Sequence, residues 1–484
     1  MHFLLSILPF KFNLIPKNKS EWKEKKIIED DEESDTVTFD MVNTFVFRPD
    51  LTEATEVGLT GNEIVTIPHL LLMGGLIATQ REQEPLLGTV IEGMFELLKP
   101  KMPFLTGRLM DILFDGVLID CSSPESFGAK AICSQLRGEK NVRVHNDTHL
   151  AFSIFGGANG TSMAKFKVYR GIKDIMKLGE VVEVNDEEET DVWFDDEDEE
   201  DDDGNVIKAR KYHCNKYLGT DSTIFAPFHH QSDILYAFAP DLCRSLGASY
   251  LHKSSYNGVP TGYYGMSFGD VKSNERQHCF CRDRDADKCP PKGTMDLFPC
   301  TKAPLIASKP QFLDADEKLV NDVDGLKPNR TEHDIFLHLE MLSSTPLSAA
   351  KRLQFSMDIE PVRKVDMMSK LRPVILPLMW VEESAHLNTT YTGMFKALYT
   401  YFAINSVIKY ICLLCGIAGL GLVTFRLNNK NNSEPQPIQR VVLPTKVDAE
   451  QPKVESINSE RGETEKQTDE NEEEKVTAIV KERY

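Results

Sequence analysis

The chain has 484 residues, enough for one large domain or two to three ordinary ones, and its 41% hydrophobic and 27% charged residues are an ordinary globular mixture. The formal net charge is −20 at pH 7, which argues against a nucleic-acid partner because the excess negative charge repels a phosphate backbone.

Composition divides the chain into four regions. Residues 1–20 are an atypical leader, with a short apolar run, no preceding Lys or Arg and no clean cleavage site. Residues 21–397 have a globular composition, and residues 398–426 are membrane-like. Residues 427–484 are rich in Glu, Lys, Asn, Gln and Ser, which predicts a disordered tail.

Strand-like alternation of apolar and polar residues marks three stretches of the globular region. They are DTVTFDMVNTFVF (35–47), AKFKVYRG (164–171) and RLQFSMDIEPV (352–362). In the first, Val37, Phe39 and Met41 alternate with polar neighbours. A period of two residues predicts strands with one buried face, as in an antiparallel sheet or barrel.

Helical periodicity is found instead in residues 67–118. The stretch PLLGTVIEGMFELLKP places six apolar residues along one stripe, namely Leu87, Val90, Ile91, Met94, Leu97 and Leu98. PHLLLMGGLIATQ before it and FLTGRLMDILFDGVL after it are also predicted to be helices. Helices inserted between strand regions indicate the α+β class. They either pack for stability alone or form a cap that faces lipid or a partner.

The acidic run NDEEETDVWFDDEDEEDDDGNV (185–206) resembles a calcium-binding loop in composition only. With Gly204 as the turn glycine, Glu199 takes the first position and Arg210 the twelfth, where calcium needs a bidentate Glu. Flanking helices are also not predicted. The pattern therefore favours a solvated acidic loop.

A transmembrane helix is predicted in YTYFAINSVIKYICLLCGIAGLGLVTFRL (399–427), although a buried core helix is the alternative. The stretch is uncharged from Tyr410 to Phe425 and long enough to cross roughly 30 Å of hydrocarbon. Arg426 and Lys430 favour a cytoplasmic C-terminus, but Lys396 and Lys409 weaken this charge asymmetry.

Asn-x-Ser/Thr sequons place the globular region on the extracellular or lumenal side. Those before the span are at Asn18, Asn146, Asn159, Asn329 and Asn388, and one more follows it at Asn431. Glycosylation is predicted at Asn146, Asn159, Asn329 and Asn388. That side of a membrane is oxidising, so disulfides are expected there.

Eight of the ten cysteines precede the span. They are Cys121, Cys133, Cys214, Cys243, Cys279, Cys281, Cys289 and Cys300. The cluster HCFCRDRDADKCPPKGTMDLFPC (278–300) fits zinc poorly, because zinc sites use paired C-x₂₋₄-C units. Spacing alone leaves the disulfide connectivity open. Cys412 and Cys415 lie in the span, where they are either apolar filler or palmitoylation sites.

One enzyme motif occurs, GMSFG (265–269), which fits G-x-S-x-G with Ser267 as nucleophile. A lipase needs a strand, a strained elbow and then a helix around this serine. The following DVKSNERQHCFC has no apolar helical stripe, and no histidine partner is specified. Esterase activity is therefore a minor alternative, and no catalytic residue, metal ligand or cofactor is assigned.

Several stretches resemble the class B scavenger receptor family. They are HCNKYLGTDSTIFAPF (213–228), DLCRSLGASY (241–250), the cysteine cluster with its continuation TKAPLIASKPQFLDAD, GLKPNRTEHDIFLHLE and AAKRLQFSMDIEPV. Within that family, EWKEK, DTVTFDMVNTFVFRPDL, MDILFDGVLIDC and LPLMWVEES are similar to the insect sensory neuron membrane proteins. The resemblance covers residues 21–425.

The resemblance implies an antiparallel β-barrel ectodomain with a helical apex and an apolar tunnel, followed by the C-terminal transmembrane helix. It also implies the disulfides Cys214–Cys279, Cys243–Cys300 and Cys281–Cys289. Cys121 and Cys133 remain, and we expect them to bridge each other. The family's first membrane helix and some strands have no counterpart before Glu21, which suggests an incomplete or alternative start, and residues 194–203 resemble an insertion.

The function implied by the resemblance is an olfactory membrane receptor or co-receptor. It would bind hydrophobic odorants or lipid pheromones, receive them from odorant-carrier proteins and pass them to an odorant receptor complex. The expected location is the plasma membrane of an olfactory neuron dendrite or an antennal support cell. Lys99 and Lys101 could attract anionic carriers or headgroups at the apex, although solvated lysines at a helix end are the plainer interpretation. The alternatives are a general lipid or lipoprotein scavenger receptor and a structural adhesion glycoprotein.

Overall fold

The computed structural model describes residues 2–7, 10–14, 23–45, 60–194, 199–200, 206–208, 214–282 and 285–431. These residues divide into two units, with the boundary between Lys396 and Ala397. The first unit combines sheets with short helices, and the described part of the second is helical. The α+β class is therefore confirmed.

The strands of the described residues are β1 His2–Ile7, β2 Phe10–Leu14, β3 Lys23–Asp31, β4 Thr36–Asn43, β5 Ile64–Pro68, β6 Phe104–Arg108, β7 Val117–Asp120, β8 Val142–Val144, β9 His149–Phe152, β10 Ser162–Tyr169, β11 Val181–Val184, β12 Glu199–Glu200, β13 Val206–Lys208, β14 Leu235–Ala239, β15 Arg244–Tyr256, β16 Val259–Met266, β17 Thr294–Asp296, β18 Leu305–Ser308, β19 Phe336–Glu340, β20 Pro346–Ile359 and β21 Val374–His386. The α-helices are α1 Leu70–Glu82, α2 Leu87–Leu98, α3 Phe127–Leu136, α4 Phe298–Thr301, α5 Glu317–Asn321, α6 Arg330–His333, α7 Asp366–Ser369 and α8 Thr389–Asn431.

The largest sheet has ten strands in the order β14-β15-β16-β19-β20-β21-β1-β2, with β18 also paired to β20 and β17 to β18. Its strand pairs are antiparallel. Among the described residues no ladder joins β14 to β2, so these residues alone do not form a closed ring of strands.

The leader contributes strands β1 and β2 to this sheet, which its composition did not predict. β1 pairs with β21 in a register that places Leu5 opposite Val381, and β2 pairs with β1. The six residues of β1 do not by themselves indicate that they pair with a strand near the other end of the chain, because strand pairing and register depend on tertiary contacts.

A second sheet, in the order β11-β10-β4-β3, contains two of the predicted strands. Val37 and Phe39 of β4 and Phe166 of β10 are buried as their alternation predicts, and the Phe39 and Phe166 rings stack with centroids 5.9 Å apart. This apolar pair holds the central strands of the sheet together.

The third predicted strand is also confirmed as part of β20, but the expectation of a single buried face is wrong for it. Gln354 and Ser356 on the polar side are buried as well. Gln354 donates through Nε2 to Ser308 Oγ at 3.4 Å and to Ser356 Oγ at 3.3 Å. Polar side chains can remain buried when they are hydrogen-bonded to one another, so a central strand can be covered on both faces.

Helices α1 and α2 confirm two of the three predicted helices between residues 67 and 118, and the third is wrong. The stretch FLTGRLMDILFDGVL instead forms β6, a π-helical turn at Asp111–Asp115, and the start of β7. β6 pairs with β5, with Val65 opposite Gly107. This long-range ladder overrides the local apolar spacing that predicted a helix.

Helix α8 contains the predicted transmembrane span. In the described part of the chain, Thr389–Lys430 is the one helix that is long and apolar enough to cross a membrane. It begins before and ends after the predicted residues 398–426. Leu413 and Leu420 are among its large apolar side chains exposed in the protein alone, which suits a lipid environment.

Candidate ligand-binding cavity

A cavity of about 980 Å³ lies in the first unit, between helices α1 to α3 and strands β20 and β21. This volume is near the upper end of the roughly 300–1,000 Å³ that ligand pockets usually have. Most of the side chains that close it are apolar, so the cavity suits a hydrophobic molecule.

The sheet forms one wall of the cavity with alternate residues of two neighbouring strands. Three cross-strand pairs lie in this wall, namely Phe355 opposite Met379, Leu353 opposite Val381 and Lys351 opposite Glu383. Because successive side chains of a strand point to opposite faces, these residues follow one another along the same face. The wall therefore changes from apolar to charged toward Lys351.

The helices form the opposite wall. Its apolar residues are Leu70, Leu71 and Ala78 of α1, Val90 and Met94 of α2, and Ile132 and Leu136 of α3. Glycines bring these helices close together: a Cβ on Gly93 would lie 2.5 Å from the Gly128 carbonyl carbon. The helical wall thus depends on small residues at the α2–α3 crossing.

Helix α1 is fixed at both of its ends by buried polar groups. At its start, His69 Nδ1 accepts a hydrogen bond from Leu72 N at 3.4 Å. Burial lowers the pKa of His69 to about 4, so the ring is neutral and able to accept at neutral pH. In its last turn, Arg81 Nη2 contacts Asp358 Oδ2 at 2.6 Å and also pairs with Glu360, which ties the helix to the end of β20.

Burial raises the pKa of Asp358, although the neighbouring Arg81 guanidinium opposes this shift. Removing Arg81 would therefore leave a partly buried acid without its cation. The pair holds the helical wall and the sheet wall at their present separation.

An aromatic corner closes the side of the cavity near β4. The Phe45 and Phe155 rings are 5.7 Å apart and both line the cavity. Asn43 lines it too, and its buried Oδ1 has no hydrogen-bond donor among the described residues. Its Nδ2 donates to the Met163 sulfur at 3.3 Å, which is a weak acceptor. Asn43 Oδ1 can therefore accept a hydrogen bond from a ligand.

Charged pairs lie toward opposite ends of the apolar sheet wall. At one end the Lys351 Nζ to Glu383 Oε2 distance is 3.9 Å. At the other end, Leu305 lies opposite Met357. Lys302 precedes Leu305 by three residues, and its Nζ lies 3.7 Å from Glu82 Oε1. Lys302 and Glu82 are largely exposed, whereas the Glu383 side chain is only 14% exposed. From Lys351 to Met357 the strand is about 20 Å long.

The eight cysteines before the span form four disulfides. They are Cys121–Cys133, Cys214–Cys279, Cys243–Cys300 and Cys281–Cys289, the same pairs that were expected from the sequence. Cys300 lies in α4 and lines the cavity, and Cys243 directly precedes β15. This bridge therefore joins the cavity lining to the edge of the large sheet.

Lys99 and Lys101 lie outside the cavity lining. Lys99 caps the C-terminal end of α2 in a left-handed conformation, with φ of 45°, and both side chains are exposed. Their role in attracting anionic carriers or headgroups stays a prediction.

The predicted glycosylation sites differ in their surroundings. Asn146, Asn329 and Asn388 are exposed. Asn159 is half-buried, and its amide donates to Phe45 O at 3.0 Å and accepts from Phe45 N at 2.7 Å. A glycan on Asn159 would have to disturb this pairing. Occupancy stays a prediction at all four positions.

The GMSFG motif lies at the end of β16. Ser267 is exposed and its Oγ accepts from Gly269 N at 3.1 Å. In the described residues 259–282 the strand is followed by turns and a short 3₁₀ helix at Glu275–Phe280, rather than by the α-helix that a nucleophile elbow needs.

No group of three His, Cys, Asp or Glu side chains within the described ranges could hold a metal ion. Gly204 and Arg210 of the acidic run lie outside the described residues, as do residues 195–198, so the predicted solvated loop is not tested there. The described residues on either side of Gly204 pair as β12 and β13.

Asn43, Lys351 and Glu383 line the cavity, although the sequence did not predict them as site residues. Lys351 shares its parity with Leu353 and Phe355 on β20, so the alternation already placed it on their face. Glu383 shares its parity with Met379 and Val381 on β21, and Asn43 shares its parity with apolar residues of β4, but only strand pairing and the approach of β4 bring them to the cavity.

The chain is similar to known proteins over most of its length. The CD36 family model matches residues 19–427. Sensory neuron membrane protein 1 of Aedes aegypti is 49% identical over 403 residues, which cover 82% of this chain and 70% of that protein. The protein of the same name from Anopheles gambiae is 48% identical over 406 residues, with 82% and 70% covered. The Manduca sexta protein of this name is 39% identical over 417 residues, with 84% and 75% covered.

Proposed function

Because this chain belongs to the CD36 family of membrane receptors, we propose that its cavity binds a hydrophobic odorant or lipid pheromone and passes it to an odorant receptor complex. The observation that carries the proposal is the cavity of about 980 Å³ with apolar walls from α1, α2, β20 and β21. Burying one methylene group is worth about 0.8 kcal/mol, so a long hydrocarbon chain has a large driving force to enter it.

The antiparallel barrel and apolar tunnel of the family architecture are part of this proposal. The cavity would be one section of that tunnel, closed on one side by the helices and on the other by the alternating apolar rows of β20 and β21. A shielded path of this kind lets an apolar ligand move without being exposed to water.

The proposed setting is the plasma membrane of an olfactory neuron dendrite or an antennal support cell, with α8 as the membrane anchor and most of the chain outside the cell. The relatives that support a sensory setting are named sensory neuron membrane proteins. Odorant-carrier proteins would deliver the ligand, and the exposed Lys99 and Lys101 would attract an anionic carrier surface.

The test is equilibrium binding of tritiated dodecan-1-ol and methyl dodecanoate to the full chain in lipid nanodiscs, with empty nanodiscs subtracted. Saturable binding is expected. Ala78 lies in α1 and faces the cavity, so Ala78→Trp should fill part of the space and weaken binding at least about tenfold. Ala131→Trp on an exposed position of α3 is the matched control and should bind as the wild type does.

Absence of saturable binding in a folded wild-type protein would contradict the proposal and favour an adhesion glycoprotein. Methanol release from methyl dodecanoate serves as the enzymatic control, and none is expected. Release that disappears in Ser267→Ala would assign an esterase instead.

A further inference from the structure

Two turns of the large sheet lie at one of its edges, which we call the rim. The two-residue turn Asn257–Gly258 joins β15 to β16, and both of its residues have the positive φ of a tight hairpin turn. Residues 341–345 join β19 to β20. Because Thr261 lies opposite Glu340, both turns extend to the same side of this pair, no more than about 10 Å beyond it.

The rim lies next to the start of the predicted membrane span. A Cβ on Gly258 would lie 3.3 Å from Cε of Lys396, the last residue of the first unit. Lys396 precedes residue 398, where the sequence predicts the span to begin, by two residues, or about 3 Å of helix. When α8 spans a bilayer, this contact places the rim at the level of the lipid head groups.

Large apolar side chains are exposed at the rim. Phe228 is 56% exposed, and its N donates a hydrogen bond to Leu342 O in the 341–345 turn at 3.1 Å. Leu342 is exposed as well, as are Tyr391 and Met394 in the first turns of α8. Apolar and aromatic side chains of this kind are unfavourable in water and favourable at a membrane interface.

The backbone holds the two loops in defined conformations. Phe228 has φ of 65°, a left-handed conformation that is unfavourable for a residue with a bulky side chain. The buried carboxylate of Glu340 accepts from Leu342 N at 2.9 Å and from Ser343 N at 2.7 Å, which fixes the 341–345 turn. The exposed phenyl ring of Phe228 gains little from packing within the protein, so burial in lipid would offset the cost of its backbone conformation.

We propose that the rim is a docking surface for the bilayer that contains α8, and that Phe228 and Leu342 insert at the boundary between the lipid head groups and the acyl chains. The bilayer is the occupant because Lys396 links the rim directly to the span, and because apolar side chains beside it are exposed. This contact would hold the first unit on the membrane in addition to α8, whichever ligand the cavity binds.

Tryptophan fluorescence of the full chain in lipid nanodiscs tests this docking. Phe228→Trp adds a reporter at the rim, and Phe127→Trp, the matched control, adds one at an exposed position of α3. Each is compared with the wild type in nanodiscs of phosphatidylcholine and of dibrominated phosphatidylcholine, whose bromines quench nearby indole rings. Brominated lipid should remove at least about half of the fluorescence added by Phe228→Trp, since interfacial side chains lie about 5–10 Å deep. It should not change that of Phe127→Trp.

A double variant removes the two apolar side chains and retains the fold. In Phe228→Asn, Leu342→Ser, the asparagine tolerates the left-handed conformation, so the melting temperature in detergent should be equal to or higher than that of the wild type. In phosphatidylcholine nanodiscs, amide hydrogen exchange at the unaltered Asn257–Gly258 turn should become at least about threefold faster. Phe127→Asn, Leu118→Ser, at exposed positions of α3 and β7, is the control and should leave this exchange unchanged.

Equal quenching of the two tryptophan variants would overturn the inference, and so would wild-type exchange at the turn in the double variant. If Phe228→Trp is shielded from iodide only at high protein concentration, and brominated lipid does not quench it, the rim contacts a second copy of the chain and the inference is wrong. None of these results would affect the proposed function, which is tested by ligand binding to the cavity.

Discussion

His69 caps helix α1 with an imidazole ring that must remain neutral. It is 9% exposed, and burial lowers its pKa to about 4 from the ordinary 6.5. The unfolded chain takes up a proton near pH 6.5 and the folded chain only near pH 4, so stability falls as the pH drops through this window and is retained above it. A difference of this size corresponds to about 3 kcal/mol.

We expect the melting temperature of the full-length protein to fall between pH 7.5 and pH 4.5, and to fall less in His69→Asn. Asparagine is a good N-cap and does not titrate, so it retains the bond to the Leu72 amide without the acid sensitivity. Thermal unfolding of both proteins, followed by intrinsic fluorescence across this pH range, measures the difference. Parallel pH profiles would show that His69 is not responsible.

Helix α2 contains two glycines with different surroundings. Substituting each by alanine therefore measures the effect of helix propensity separately from the effect of helix packing. A Cβ on Gly93 would lie 2.5 Å from the Gly128 carbonyl carbon, whereas a Cβ on Gly88 has nothing within 4 Å. Gly93→Ala should therefore push α3 away and destabilise the protein by about 1–3 kcal/mol. Gly88→Ala should be neutral or stabilise by up to about 1 kcal/mol.

Denaturant unfolding of the two variants provides the measurement, and ligand binding should weaken in Gly93→Ala alone because α2 and α3 both line the cavity. Equal stabilities would mean that the α2–α3 contact is looser in solution than in the structure.

The apolar stripe of α2 was predictable from the sequence, because residues three and four apart lie on one helical face. The glycine crossing was not, since it depends on a second helix.

The four disulfides stabilise the first unit as a whole. The loops that they close differ widely in length. Cys214 and Cys279 are separated by 65 residues, and Cys281 and Cys289 by 8. In the chain-entropy description, the long loop contributes about 4 kcal/mol and the short one about 2.5 kcal/mol. The double variant Cys214→Ser, Cys279→Ser should therefore lower the melting temperature more than Cys281→Ser, Cys289→Ser.

Cys412→Ser, Cys415→Ser is the control for these variants, because both cysteines are free in α8 and should not affect the melting of the first unit. Thermal unfolding in nanodiscs gives the ranking. A greater loss from the short bridge than from the long one would contradict the entropic argument and point to native contacts that depend on Cys281–Cys289.

Local sequence patterns predicted several of the helices and strands. The alternation in β4 and β10, the helical stripe of α2 and the uncharged run of α8 each depend on neighbours a few residues apart, so their elements were predictable. The stretch FLTGRLMDILFDGVL was not, because β5 pairs with β6 and that ladder outweighs the local apolar spacing. The leader strands β1 and β2 were missed for the same reason.

The sequence by itself determined the α+β class, the membrane-spanning helix, the family and an even set of cysteines suited to an oxidising compartment. Only the tertiary structure decided that Lys351 lies opposite Glu383, that Asn43 reaches the same cavity, and that α1 and α2 close it from the other side. The physical reason is range: periodicity and composition act within one element, whereas a cavity arises between elements distant in the chain, where register and packing place each side chain.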